Sequence, residues 1–108
     1  MSNRRERYNR DWILSKYAED PCQTIKIYGY LSLNPNSKWV TFTQIENENG
    51  LRISGHLNFP KHKVYALIKD VERYNHKPFS IKGHPSFYLW KGTKRGSIKI
   101  IELQPKTN

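Results

Sequence analysis

"KGHPSFYLWKGTKRGSIK", residues 82–99, sets Phe87, Tyr88 and Trp90 among five cations, Lys82, Lys91, Lys94, Arg95 and Lys99, without one acid. Single-stranded nucleic acid is bound by that pairing of groups. Cations follow the phosphates, and aromatic faces stack bases at about 1–3 kcal/mol each. Side chains alternate between the faces of a regular strand, so either Phe87 and Leu89 or Tyr88 and Trp90 turn to the core. The expectation is that at least one of Tyr88 and Trp90 stands on a binding surface. The glycine-bounded stretch Gly92 to Gly96 is expected to be a basic hairpin turn that meets a phosphate backbone or enters a groove.

Other chemistry has fewer candidates. His56, His62, His76 and His84 form no pair with a cysteine or carboxylate at zinc spacing, so no metal site and no cofactor is expected. Glycine-rich phosphate loops and serine nucleophile elbows are absent, and nine acids, four of them in the first twenty residues, suggest no carboxylate dyad. Enzymatic activity is therefore disfavoured. Cys22 is the single cysteine, which rules out an intramolecular disulfide and a cysteine zinc cluster and fits a reducing cytoplasmic or nuclear setting.

Charge is distributed unevenly. Nineteen Lys and Arg against nine acids give +10, but residues 1–60 hold eight basic and six acidic residues, whereas residues 61–108 hold eleven and three. Between Arg73 and Lys99 stand Arg73, Lys77, Lys82, Lys91, Lys94, Arg95 and Lys99 with no Asp or Glu, unlike the interspersed signs of an ordinary surface. These seven are the candidate phosphate contacts, with Tyr88 and Trp90 as the candidate stacking residues. The apolar runs are too short for a membrane span, and the start "MSNRRERYNR" lacks a secretory apolar region. An intracellular protein that does not enter a membrane is expected.

The elements that must position these residues follow from periodicity. Residues 1–8 are expected to form a basic flexible arm whose Arg4, Arg5 and Arg7 add affinity without specificity, and residues 9–108 a single domain. "YNRDWILSKYAEDP" predicts a helix capped by Asn9 and stopped by Pro21, with Trp12, Ile13 and Tyr17 on one face. "TIKIYGYLSL" alternates, with Ile25, Ile27, Leu31 and Leu33 inward and Tyr28 and Tyr30 outward; "KWVTFTQI" is a second strand. "NENG" predicts a hairpin with positive φ at Gly50, leading to a third strand with Leu51, Ile53, Gly55, Leu57 and Phe59 inward and Arg52, Ser54, His56 and Asn58 outward. His56 thus belongs to a polar strand face, where it touches ligand without being catalytic if that face binds.

After Pro60, Val64, Leu67, Ile68 and Val71 recur at the spacing of a core-facing helix. "FSIKG", "SFYLWKG" and "GSIKIIEL" then predict three strands separated by turns at Gly-His-Pro and Gly-Thr-Lys-Arg-Gly. The fold class expected is α+β: one antiparallel sheet of five to six strands with two helices on one face.

"GYLSLNPN", "ENENGLRISGHLNFPKHK" and "YLWKG", within residues 29–92, together resemble the nicking domain of rolling-circle replication initiators from small circular single-stranded DNA viruses. That family orders a strand ending in a Leu-Asn motif, a histidine-rich metal-binding strand and a Tyr-x-x-Lys motif. The resemblance implies a metal-dependent DNA-nicking activity with His56 as ligand and Tyr88 as nucleophile. The metal motif is degraded here: aligned on Gly55, its positions hold Arg52 and Ser54, and Tyr88 precedes a glycine turn where the family has a helix.

The leading expectation is a small, basic, non-enzymatic protein that binds single-stranded DNA or RNA on a basic aromatic sheet face. The alternative is a viral or phage-type interaction module docking the same face on an acidic protein, since charge complementarity steers either partner.

Overall fold

The computed structural model describes residues 11–106, so Asn9 and the arginines at positions 4, 5 and 7 lie outside the described residues. Helix α1 (Trp12–Glu19) precedes three strands, β1 (Ile25–Leu33), β2 (Trp39–Asn47) and β3 (Arg52–Pro60). Helix α2 (Lys61–Leu67) and a 3-10 turn (Val71–Tyr74) lead into two long strands, β4 (Pro78–Trp90) and β5 (Thr93–Pro105). All ladders are antiparallel, and the sheet runs β3-β2-β1-β4-β5. This is the expected α+β class, with five strands and two helices.

Alternation decides which side chains form the core. Ile25, Ile27 and Leu31 of β1, Val40, Phe42 and Ile45 of β2, and Ile53, Leu57 and Phe59 of β3 are buried in one cluster with Phe79, Ile81, Ile98 and Leu103. Ile13 of α1, Val64 of α2 and Val71 join the same cluster, so both helices cover the core side of the sheet. No helix among the described residues is long and apolar enough to cross a membrane.

The sheet is curled. In a flat sheet β3 and β5 would stand about 19 Å apart, at ~4.8 Å per strand step. Yet the two-turn helix α2 packs against β2, β3 and β5 together. Extra residues produce the curl: register shifts interrupt the β1–β2, β2–β3 and β4–β5 ladders, and each such bulge bends a strand and increases its twist. At the β4–β5 shift Lys82 pairs with Glu102 but Gly83 with Ile100, which leaves Ile101 unpaired. A Cβ on Gly83 would overlap the Lys99 carbonyl.

Three expectations need correction. Gly-His-Pro is no turn: residues 83–85 lie inside β4, so two expected strands are one. Gly83 is the bend, and Pro85 is tolerated because β1 ends opposite Gly83 and leaves one side of β4 without a ladder partner. Nor is Gly-Thr-Lys-Arg-Gly a turn. The chain reverses at Lys91 (φ 50) and Gly92 (φ 79), a two-residue loop with both φ values positive, as a type I′ hairpin requires, and Thr93 already pairs with Trp90.

The helix after Pro60 also stops early. Ile68 is extended (φ −147, ψ 125), Leu67 is exposed, and Val71 reaches the core from the 3-10 turn instead. Tyr65 Oη donates to Glu72 Oε2 at 2.9 Å and ties the two pieces. Partial burial first, then this bond and the charge of Glu72, hold the Tyr65 hydroxyl above the usual phenol range. The β2–β3 hairpin forms as expected, with φ 82 at Gly50 and the buried Asn47 Oδ1 accepting from the Asn49 and Leu51 amides.

Gly83→Ala should lower the unfolding free energy by about 3 kcal/mol, the upper end of overpacking costs, because the atom in the way is backbone and cannot swing aside. Thermal unfolding would check this: a melting temperature fallen by about 12 °C or more is expected.

Candidate functional site

Curling brings the outward face of the β2–β3 ladder opposite the outward face of the β4–β5 hairpin. Between them lies a cleft of about 700 Å³, within the range of ligand sites. One wall carries Trp39, Thr41, His56 and Asn58, with Ser37 at the end of the β1–β2 loop. The other carries Tyr88, Trp90, Arg95 and Ser97, and Leu57 contributes from β3. The lining contains three large aromatics, one arginine and no carboxylate.

Local structure sets each wall. Lys61 N–H donates to the Lys38 carbonyl, Lys61 Nζ to the Asn34 carbonyl and Trp39 N–H to Ser37 Oγ, which anchors the β1–β2 loop and the start of β2. Thr41 stands opposite Asn58 in the ladder, and its hydroxyl donates to Asn58 Oδ1 at 2.6 Å. On the hairpin, Tyr88 pairs with Arg95 and Trp90 with Thr93. Cross-strand partners have Cβ atoms about 4.5–5.5 Å apart, so ring and guanidinium share one patch.

Alternation separates the aromatics as expected, with one addition. Phe87 faces α1, its ring centroid 5.3 Å from that of Tyr17 in an edge-on contact, and Lys94 Nζ lies 4.6 Å from its ring centroid. Tyr88 and Trp90 are 47% and 52% exposed, and Trp39, on the facing wall, is 52% exposed. Leu89 is exposed too, because the hairpin has by then run past the core.

The expected phosphate contacts do not gather in one place. Arg95 lines the cleft, and Lys91 Nζ stands 5.6 Å from the Trp90 ring centroid at its rim. Lys94 turns to the α1 side, next to a second hollow between β3 and the start of β5 that shares His56, Tyr88 and Arg95 with the cleft. Lys99 lies further along β5 opposite His84, and Lys82 forms an ion pair with Glu102 at 3.4 Å. Arg73 in the 3-10 turn and Lys77 before β4 are exposed at the opposite end of β4.

Trp39, Thr41, Asn58 and Ser97 were not in the expected site. For Trp39, Thr41 and Asn58 the signal was the alternation of β2 and β3, and for Ser97 that of β5, but nothing local to "KWVTFT" links it to the basic run half the chain away. Among the histidines, His84 Nδ1 lies 3.0 Å from the Gln23 carbonyl, which can only accept, so this ring is tied to the α1–β1 connection with Nδ1 protonated. His56 is in the cleft. Among the described residues no three His, Cys, Asp or Glu side chains are grouped to hold a metal ion.

The chain matches no protein-family model, no curated protein and no solved structure.

The two sets of aromatics should separate in stability measurements. Phe87→Ala removes a packed ring and should cost about 2 kcal/mol, whereas Tyr88→Ala should stay within about 0.5 kcal/mol of the parent. Chemical denaturation of the two variants reads this difference.

Proposed function

We propose that the protein binds single-stranded nucleic acid in the cleft between the β2–β3 face and the β4–β5 hairpin. Trp39, Tyr88 and Trp90 stack bases, and Arg95 and Lys91 neutralise phosphates. The observation that carries this reading is the convergence of three half-exposed aromatics from two distant segments on one carboxylate-free cleft. A folded protein normally buries rings of that size, and stacking on a base is a use for which they must stay open.

Topology adds an argument by analogy. A five-stranded, curled antiparallel sheet with a helix between the third and fourth strands resembles the partly open barrel of OB domains, which bind oligonucleotides on the face of strands 2–3 and on the loops 1–2 and 4–5. The cleft occupies the corresponding place. A shared topology does not by itself assign a function, so the weight rests on the side chains.

A nicking reaction at Tyr88 would need metal ligands beside it; the cleft offers His56 and the adjoining hollow one carboxylate, Asp11, and no three such side chains are grouped to hold a metal ion among the described residues. Binding without cleavage is the reading its chemistry supports.

Fluorescence anisotropy of labelled single-stranded DNA, single-stranded RNA and duplex DNA across a salt series tests it. Single strands should bind more tightly than duplex, and Trp39→Ala and Trp90→Ala should each raise Kd about 5- to 150-fold. Each neutralised phosphate on a single strand contributes about −0.7 to the slope of log affinity against log salt, so replacing Lys91 and Arg95 together by Ala should flatten it by about 1.4. Absence of oligonucleotide binding at low salt would refute the proposal and direct the search to an acidic protein partner.

A further inference from the structure

The solvent side of the sheet continues past the cleft. Alternation along β1 buries Ile25, Ile27 and Leu31 and turns Lys26, Tyr28, Tyr30 and Ser32 outward. Ladder register then fixes their neighbours. His56, in the cleft, stands opposite Thr43, and Thr43 opposite Tyr30; Asn58, also in the cleft, stands opposite Thr41, and Thr41 opposite Ser32. Two strand steps of ~4.8 Å therefore carry the face from His56 to Tyr30, about 10 Å away. The side chains along this crossing are the short hydroxyls of Thr41, Thr43 and Ser32, over which an extended strand can lie.

Tyr30 is 43% exposed, close to the 47% of Tyr88. Its ladder partner on the other side is Pro78, whose carbonyl accepts from the Lys106 N–H. Lys106 follows the end of β5, and its Nζ lies 4.4 Å from the ring centroid of Tyr28, two residues along β1 from Tyr30. Tyr28 thus holds a cation beside an open ring, and Lys91 stands in the same way by Trp90 at the rim of the cleft. Carboxylates meet this face on the far side of Tyr30: Glu46 stands opposite Tyr28, with Arg52 as its own partner on β3, and Glu102 is bound to Lys82. A single exposed aromatic needs no explanation. A half-exposed ring in register with the cleft and beside a held ammonium has the composition of a stacking site.

We propose that β1 carries a second subsite for the same single strand, with Tyr30 stacking a base and Lys106, held by Tyr28, neutralising an adjoining phosphate. This rests on the single-strand reading of the cleft and deepens it, because it gives the strand a course across the solvent side of β3, β2 and β1. The footprint is then longer than the cleft, within the about 4–16 nucleotides bound by one OB domain.

Length separates the two subsites. Anisotropy titrations with labelled thymidine oligomers of about four and about twelve nucleotides compare an occupant of the cleft with one that spans both. Tyr30→Ala should raise Kd for the longer oligomer about 5- to 150-fold, the value of one stacked base, and leave that of the shorter within about twofold. Tyr30→Phe keeps the ring and should retain the affinity of the parent. Lys106→Ala should flatten the salt slope by about 0.7 for the longer oligomer alone. Comparing variant with parent at each length cancels the larger number of placements on the longer oligomer. Both positions lie on the surface side of the sheet, so the variants should fold.

An unchanged Kd for the longer oligomer in Tyr30→Ala, or an equal loss at both lengths, overturns the second subsite. The cleft is read separately, since Trp39→Ala and Trp90→Ala should weaken both lengths. Failure of both oligomers to bind the parent protein would remove the single-strand reading and this extension with it.

Discussion

The backbone of β5 passes so close to Gly83 that one methyl group there would overlap the Lys99 carbonyl. That contact, together with the unpaired Ile101 opposite, lets β4 and β5 bend as a pair and carry their far ends back over the sheet. Without the bend the hairpin would extend away from β2 and β3. Tyr88 and Trp90 would then be isolated aromatics on a strand end, and Trp39 a lone exposed indole. The cleft exists because the sheet is curled, and the curl depends on backbone closeness that only glycine permits at this position.

The same curvature explains the division of labour between the two sides of the sheet. Inward residues of all five strands fill one core with Ile13, Val64 and Val71, and α1 presses Ile13 against Gly96, where a Cβ would lie 2.9 Å from that of the isoleucine. Holding the start of β5 in this way turns Phe87 and Lys94 toward α1 and leaves Tyr88 and Arg95 on the opposite side. The residues that give the hairpin its stability and those assigned to the cleft are therefore sequence neighbours with different environments. Charge is arranged less tightly than the sequence suggests, since Lys82 is engaged with Glu102 and Arg73 and Lys77 sit at the other end of β4.

Much of this was legible in the chain. Alternation identified the buried Ile25, Ile27 and Leu31 of β1 and Ile53, Leu57 and Phe59 of β3, although Gly55, expected inward, is exposed; Asn-Gly identified the β2–β3 reversal, and the run without acids pointed to the hairpin that forms one wall. What failed were local rules overridden at long range. Gly-His-Pro carries turn residues, yet Gly83 answers a close approach by β5 and Pro85 a missing neighbour beyond Ile25. The reversal fell on Lys91 and Gly92, and lysine gives no hint of a positive φ. Trp39 was hidden for a different reason: its role depends on a ring contributed half the chain away.

The three tryptophans offer the most direct test of the cleft. Trp39 and Trp90 line it, one on each wall, while Trp12 lies on α1 with Lys16 Nζ 5.5 Å from its ring centroid. Following the three indole N–H resonances during titration with a short single-stranded oligonucleotide separates these positions in one experiment. The Trp39 and Trp90 signals should shift together along one binding curve while that of Trp12 stays in place. A shift confined to Trp12, or movement of Trp90 without Trp39, would contradict the account, because the cleft binds with both walls or it is not the site.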